Sequence, residues 1–200
     1  MLFSSVEFLY YFLPIVIALY FIVPTKFKNL ILLLSSLFFY FWGEPIYTLI
    51  MVVMALSGYI HGLLIDKFRG TKKSKVALVS SLVVGLSALG FFKYSNFFID
   101  NINNIFDSAM STLALALPIG ISFYTFQILS YVIDVYRKKV PVQRSILDFG
   151  LYISMFPQLI AGPIVKYSDI DSQLSQRKES FEKTAEGIFI FIRGLAKKTV

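Results

Sequence analysis

The sequence predicts an all-α protein, a polytopic transmembrane helical bundle that contains a re-entrant or broken helix. Of the 200 residues, 56% are hydrophobic and only 16% are charged, which leaves too few polar residues to cover a soluble domain of this length. Apolar runs alternate with short polar or basic connections along the chain. One late apolar segment contains Pro157, Gly162 and Pro163, which do not permit an unbroken helix across a bilayer.

The apolar runs give the order of the predicted elements. Most approach the roughly 20 residues that a spanning helix needs, and Gly43-Glu44-Pro45 forms a tight hairpin between the second and third. A broken segment at 147–165 and the start of a further helix at 181–200 follow them. We expect that helix to continue past Val200, because no stop signal precedes it. The five predicted spans are 6–23, 28–42, 46–65, 76–98 and 112–136.

The first span is not expected to be a cleavable signal peptide. Residues 1–5 carry no basic charge, Glu7 comes early, and no small-x-small cleavage site follows the apolar run before Pro24. The absence of cysteine excludes disulfide frameworks, thiolate metal sites and cysteine nucleophiles.

The net charge of +7 lies in short clusters between the apolar runs, which favours a topology signal over a nucleic-acid surface. The first, third and fifth connections are basic, for example at Lys26 and Lys28, whereas the second and fourth hold Glu44, Asp100 and Asp107 and no base. Lys and Arg remain on the cytoplasmic side. The pattern therefore predicts a multi-pass protein with its N-terminus outside.

Polar residues share one face of the fifth span. Tyr124, Gln127, Tyr131 and Asp134 follow a three-four-three spacing, and polar side chains of a membrane helix face the bundle interior. The stripe fits the wall of a substrate tunnel. It equally fits interhelical hydrogen bonding, with Asp134 paired to a base such as Arg137 at the end of the helix.

Other candidate sites in the chain are weak. His61 is the only histidine, lies in the small-xxx-small motif from Gly58 to Gly62, and is expected to pack against a helix with one nitrogen bonded to a carbonyl. Lys93 is expected to extend its amine outward from the fourth span. No cluster has metal-ligand spacing, and no glycine-rich phosphate loop or Gly-x-Ser-x-Gly elbow occurs.

Several stretches of the chain resemble the membrane-bound O-acyltransferase (MBOAT) family, in its bacterial branch of alginate O-acetylation and teichoic acid D-alanyl transfer. The resemblance covers essentially the whole chain in order. The chain is similar to the N-terminal part of such a protein. The stretches are 1–5 (MLFSS), 39–45 (FYFWGEP), 89–98 (LGFFKYSNFF), 117–137 (LPIGISFYTFQILSYVIDVYR), 156–163 (FPQLIAGP) and 194–198 (GLAKK).

The resemblance implies a membrane acyltransferase of the bacterial inner membrane that O-acetylates a cell-surface polysaccharide or exopolysaccharide. It implies acetyl-CoA or a similar acyl donor as co-substrate and no bound cofactor. The implied partners are the lipid bilayer, a polysaccharide or lipid-linked acceptor, and an extracytoplasmic acetyltransferase. The family's catalytic histidine lies in a Trp-His-Gly-like motif that residues 1–200 do not contain, so no catalytic residue is assigned and this fragment alone is expected to be inactive. A non-catalytic scaffold for a partner transferase and a small transporter remain alternatives.

Under this resemblance, the tunnel candidates come from the fifth span and from the broken segment. They are Tyr124, Gln127, Tyr131, Asp134, Pro157, Gln158, Gly162 and Pro163.

Overall fold

The computed structural model describes residues 5–106, 111–113, 117–159, 165–176 and 179–199. The regular structure in these ranges is helical, with no strand, and the predicted all-α class is confirmed. A π-helical turn, Glu7–Phe12, runs directly into the first α-helix. The helices are α1 Leu13–Ile22, α2 Thr25–Gly43, α3 Pro45–Lys67, α4 Lys72–Phe106, α5 Ile121–Tyr136, α6 Ile146–Ser154, α7 Phe156–Leu159, α8 Tyr167–Gln176 and α9 Phe181–Thr199.

Proline and glycine set the early helix boundaries. Pro24 caps α2, and Pro45 is the first residue of α3. The N–H that proline lacks would have no acceptor within the helix at that position, so its absence costs no helical hydrogen bond. Only Glu44 separates α2 from α3, as expected of the hairpin. Gly70, with a φ of 82°, makes the turn into α4, a conformation that favours glycine.

The predicted fifth span is shorter than expected. Helix α5 covers only Ile121–Tyr136, whereas the apolar run begins at 112, and the described residues 111–113 and 117–120 are not helical. Pro118 has no N–H to donate, and Gly120 caps the helix at a φ of 77°. An apolar run therefore does not fix where its helix begins.

Helix α4 is longer than its apolar run. It has 35 residues, about 52 Å at 1.5 Å per residue, and it continues past the predicted end at 98. The extra turns mix polar and apolar residues, and the amide of Asn101 donates to the carbonyl of Phe97 at 2.6 Å. Of the helices that the structure describes, α3 and α4 are long and apolar enough to cross a bilayer.

The broken segment is confirmed as a feature of the fold. Helix α6 ends at Ser154, Met155 adopts an extended ψ of 112°, and the four-residue α7 follows. The described residues on its two sides fit a re-entrant course. The segment starts after Arg144, the Leu159 carbonyl lies close to Gly120 at the other end of α5, and Tyr167 lies beside Gln143.

Helices α3, α4 and α5 form the centre of the bundle, with α2 and α6 packed against it. The predicted small-xxx-small motif makes the closest contacts. A Cβ on Gly58 would lie 2.4 Å from Cγ2 of Ile128, and one on Gly62 would lie 2.8 Å from the ring of Tyr131. A second cluster joins the N-terminal helix to α2 and α7 through aromatic rings, and it contains Phe8, Phe12, Val16, Phe39 and Phe156.

Candidate functional site

The polar stripe of α5 faces the interior of the bundle, as the spacing predicts. Tyr124 and Tyr131 have no exposed surface, Gln127 is 4% exposed, and Asp134 is half-buried. Helix α5 contacts α3, α4 and α6. The stripe therefore lies between the central helices and the broken segment.

Gln127 fastens α5 to the broken segment. Its Nε2 donates to the carbonyl of Tyr152 in α6 at 2.7 Å. Hydrogen bonds of this kind hold membrane helices together, so at this residue the geometry fits the interhelical reading of the stripe.

Tyr131 lies at the centre of an aromatic cluster near the end of the bundle that carries the basic connections. Its ring centroid is 4.8 Å from that of Phe149 and 5.1 Å from that of Tyr167. Its hydroxyl accepts from the backbone N–H of Gln143 at 2.9 Å. Tyr131 thus joins α5, α6 and the chain that returns from the re-entrant segment.

Asp134 does not make the ion pair that the sequence left open. Within the described ranges no cation lies within 4.0 Å of its carboxylate, and Arg137 and Lys138 are exposed. The helix ends at Tyr136, and Lys138 has a φ of 59°, so the chain leaves the helical path between Asp134 and these bases.

Four buried polar atoms have no hydrogen-bond partner among the residues that the structure describes. They belong to α5, α6 and α7. Ser154 and Gln158 flank the break at Met155, and Tyr124 lies one helical turn after Gly120, which contacts Leu159 of α7. An unpaired buried polar atom is unfavourable, and polar cavities hold water that satisfies such groups. Such atoms are candidates for contact with water or with a polar ligand. The atoms are Tyr124 Oη, Thr125 Oγ1, Ser154 Oγ and Gln158 Nε2.

The candidates from the broken segment differ in burial. Gln158 is half-buried with its amide nitrogen inside the bundle, whereas Pro157 is exposed. Gly162 and Pro163 lie outside the described residues. Within the stripe, the Tyr124 hydroxyl is a buried polar atom with no hydrogen-bond partner among the described residues, which favours the tunnel interpretation at that end of α5.

A polar network at the exit of the re-entrant segment was not predicted from the sequence. Gln143 Nε2 donates to the Tyr167 hydroxyl at 3.0 Å, and that hydroxyl donates to Asp171 at 2.6 Å. Burial, with a smaller effect from the Asp171 carboxylate, raises the pKa of Tyr167 above its usual range. Tyr152, whose ring packs against Tyr167 at 5.3 Å, could have been found from the helical spacing of Phe149 and Tyr152.

A second missed contact holds the other end of the bundle. Glu44 accepts a hydrogen bond from the N–H of Ile119 at 3.0 Å, and the Tyr40 hydroxyl donates to the Ile119 carbonyl at 2.7 Å. The α2–α3 hairpin therefore anchors the residues that lead into α5. The hairpin motif was visible in the sequence, but its partner was not.

His61 and Lys93 take the minor roles that the sequence predicts. Nδ1 of His61 lies 2.7 Å from the carbonyl of Ser57, one turn earlier in its own helix. Lys93 is exposed, with its amine 5.4 Å from the ring centroid of Tyr94. Within the described residues, no group of three His, Cys, Asp or Glu side chains could hold a metal ion.

Comparison with known proteins finds relatives along nearly the whole chain. A probable alginate O-acetylase AlgI of Pseudomonas aeruginosa is 39% identical over 99% of this chain and 39% of its own length. The protein of the same name from Azotobacter vinelandii is 38% identical over 99% of this chain and 41% of its own length. A peptidoglycan O-acetyltransferase of Helicobacter pylori is 34% identical over all of this chain and 44% of its own length.

The chain thus spans about two fifths of the length of these curated relatives. No family model matches the chain, and no solved structure matches it.

Proposed function

The resemblance to membrane-bound O-acyltransferases is confirmed, and on that premise we propose that this chain forms part of an enzyme that O-acetylates a cell-surface polysaccharide. The observation that carries the proposal is the similarity over 99% of the chain to a probable alginate O-acetylase. The protein is a membrane protein, with two apolar helices of spanning length. Alginate, peptidoglycan or a similar polymer supplies the acceptor hydroxyl, either directly or through an extracytoplasmic acetyltransferase.

The proposed orientation follows the charges of the connections. The end with Lys26, Lys28 and Arg144 faces the cytoplasm of a bacterium, and the end with Glu44 faces outward, as does the N-terminus. A cytoplasmic acyl donor such as acetyl-CoA is the co-substrate. The acceptor approaches from the outer end.

The histidine motif that the resemblance implies has no counterpart among residues 1–200, so in this proposal the residues described above position the substrates and do not take part in the chemical step. The base removes the proton of the acceptor hydroxyl as that oxygen attacks the thioester carbonyl, and the thiol of the donor leaves. The unpaired polar atoms of Tyr124 and Gln158 are donors that hold water or a substrate oxygen beside the break. Gln127 holds α6, and with it the short α7 that carries Gln158, against α5.

Substitution of the two glutamines tests this role in the full-length protein. Methionine is similar in size but lacks the amide, so we expect Gln158→Met and Gln127→Met to lower acetyl transfer about tenfold or more, since misplacement of a reacting group has effects of this size. The readout is the O-acetyl content of the polymer, normalised to the amount of protein in the membrane. Gln173→Met, at an exposed position of α8, is the matched control.

The result distinguishes the two interpretations of the stripe, a tunnel wall and interhelical hydrogen bonding. Equal membrane levels with reduced transfer in Gln158→Met support a place beside the substrate. Unchanged transfer in both variants at equal protein level removes these residues from the site.

A further inference from the structure

An apolar crevice runs between α2, α3 and α6. It encloses about 220 Å³, and its walls include Leu33 and Leu37 of α2, Ala55 of α3 and Ile153 of α6. Ser154 is the one polar residue among its lining residues. The lining residues of α6 extend from Ile146 to Ser154, about 12 Å along the helix axis at 1.5 Å per residue.

The crevice opens sideways, toward the outside of the bundle. Its rim residues Leu56, Ile146 and Leu147 are 39%, 47% and 43% exposed. In a protein that spans a bilayer, a sideways opening at this depth faces hydrocarbon. The volume is therefore accessible to the lipid phase.

A polar cavity of about 380 Å³ adjoins the crevice where α2 and α6 begin. Leu147 lines both cavities, and Leu30 of the polar cavity lies one turn before Leu33 of the crevice. The polar cavity contains both signs of charge, from Lys26, Lys28, Asp148 and Glu179. Together the two cavities form an apolar slot with a charged mouth.

The charges of the mouth differ in how they are engaged. Lys28 is 8% exposed and pairs with Glu179, and Asp148 accepts a hydrogen bond from the Asn29 amide at 2.6 Å. Lys26 is exposed and makes no ion pair in the part of the chain that the structure describes. The mouth therefore contains both an exposed ammonium and a carboxylate.

We propose that the slot and its mouth bind one membrane phospholipid with a zwitterionic headgroup that carries a primary amine. One acyl chain lies in the crevice, the phosphate faces Lys26, and the ammonium of the headgroup faces Asp148. A saccharide is excluded from the crevice, because walls with a single hydroxyl cannot satisfy its hydrogen bonds.

The headgroup supplies the selectivity of this site. An acyl chain that moves from bilayer to protein leaves one apolar medium for another, so only packing is gained there. Selectivity among lipids therefore depends on the phosphate and the amine at the mouth. The site does not depend on the proposed acetyl transfer, and its test needs no enzyme activity.

Native mass spectrometry tests the proposal on the protein purified from membranes that contain equal amounts of phosphatidylethanolamine, phosphatidylcholine and phosphatidylglycerol. We expect one retained phosphatidylethanolamine. Ala55→Phe and Leu56→Trp fill the crevice and are expected to lower retention at least tenfold. Val53→Phe adds the same ring at an exposed neighbouring position of α3 that does not line the crevice, and is expected to retain the lipid.

A separate pair of variants tests whether the headgroup determines which lipid is bound. We expect Lys26→Gln to lower the preference for phosphatidylethanolamine severalfold, and Lys75→Gln, exposed at the same end of the bundle, to leave it unchanged. Equal retention of the three lipids with no effect of Lys26→Gln overturns the proposal.

Retention that survives both crevice-filling variants overturns the proposal, and so does an absence of retained lipid in the unaltered protein, as expected if another protein segment covers the crevice. Circular dichroism and gel filtration check that each variant folds. Leu56→Trp lies at the exposed rim, so the test stands even if Ala55→Phe does not fold.

Discussion

The contact between α3 and α5 yields a quantitative prediction for Gly58→Ala. A Cβ at this position would lie 2.4 Å from Cγ2 of Ile128, whereas carbon atoms in contact are about 3.5–4.0 Å apart. The helices must therefore separate by more than about 1 Å, or Ile128 must leave its rotamer. Overpacking of this kind costs about 1–3 kcal/mol.

Alanine also favours the helix over glycine, by up to about 1 kcal/mol, and this gain opposes the steric term. We expect a net loss of about 1–2 kcal/mol in the free energy of unfolding, or a melting temperature lower by about 2–8 °C for a chain of this length. The change in melting temperature is measured by thermal unfolding in detergent, with circular dichroism as the signal.

Gly90→Ala is the matched control, because a Cβ at that position of α4 would meet no atom within 4 Å from the described residues beyond its own stretch of helix backbone. It is expected to leave the stability unchanged or to raise it by up to about 1 kcal/mol. Ile128→Leu removes the methyl group from Cβ and is expected to restore most of the loss in the double variant. The reasoning is refuted if Gly58→Ala is as stable as Gly90→Ala.

Two further predictions concern the basic end of the bundle and the orientation of the chain. The pKa of Tyr167 is raised in the folded protein, so above pH of about 10 the unfolded tyrosine loses its proton first and stability falls as the pH rises. Tyr167→Phe is expected to flatten this fall in melting temperatures taken from pH 9 to 11, and an unaltered slope would contradict the assignment. The chain has no cysteine, so single substitutions report its orientation. An impermeant maleimide is expected to label Asn104→Cys in intact cells and Lys72→Cys only after permeabilisation, and the reverse pattern would invert the proposed topology.

The polar stripe could be predicted from the sequence because it depends only on the spacing of residues within one helix. The positions of Tyr124, Gln127 and Tyr131 repeat at the period of a helix, and all three are buried. The same reasoning placed Gly58 and Gly62 at a close helix contact, where the structure has them. A regular period is enough to assign a face, although it does not say which helix that face meets.

The polar network at the exit of the re-entrant segment could not be predicted in this way. Gln143 and Tyr167 are 24 positions apart, both lie outside the five predicted spans, and neither has a periodic neighbour to mark it. Their contact depends on the chain returning to the end where it entered. Helix α5 begins at Ile121, later than its apolar run, because hydropathy measures burial in lipid and does not register the missing N–H of Pro118.

Helices α6 and α7 are too short to enter a bilayer as a further spanning helix. Helix α6 covers about 14 Å and α7 about 6 Å at 1.5 Å per residue, against about 30 Å of hydrocarbon. The interruption at Met155 leaves backbone groups that lipid cannot satisfy, so α2, α3 and α5, which contact α6, must already be assembled to receive it. The segment that carries Ser154 and Gln158 is therefore the last of these parts to enter the membrane.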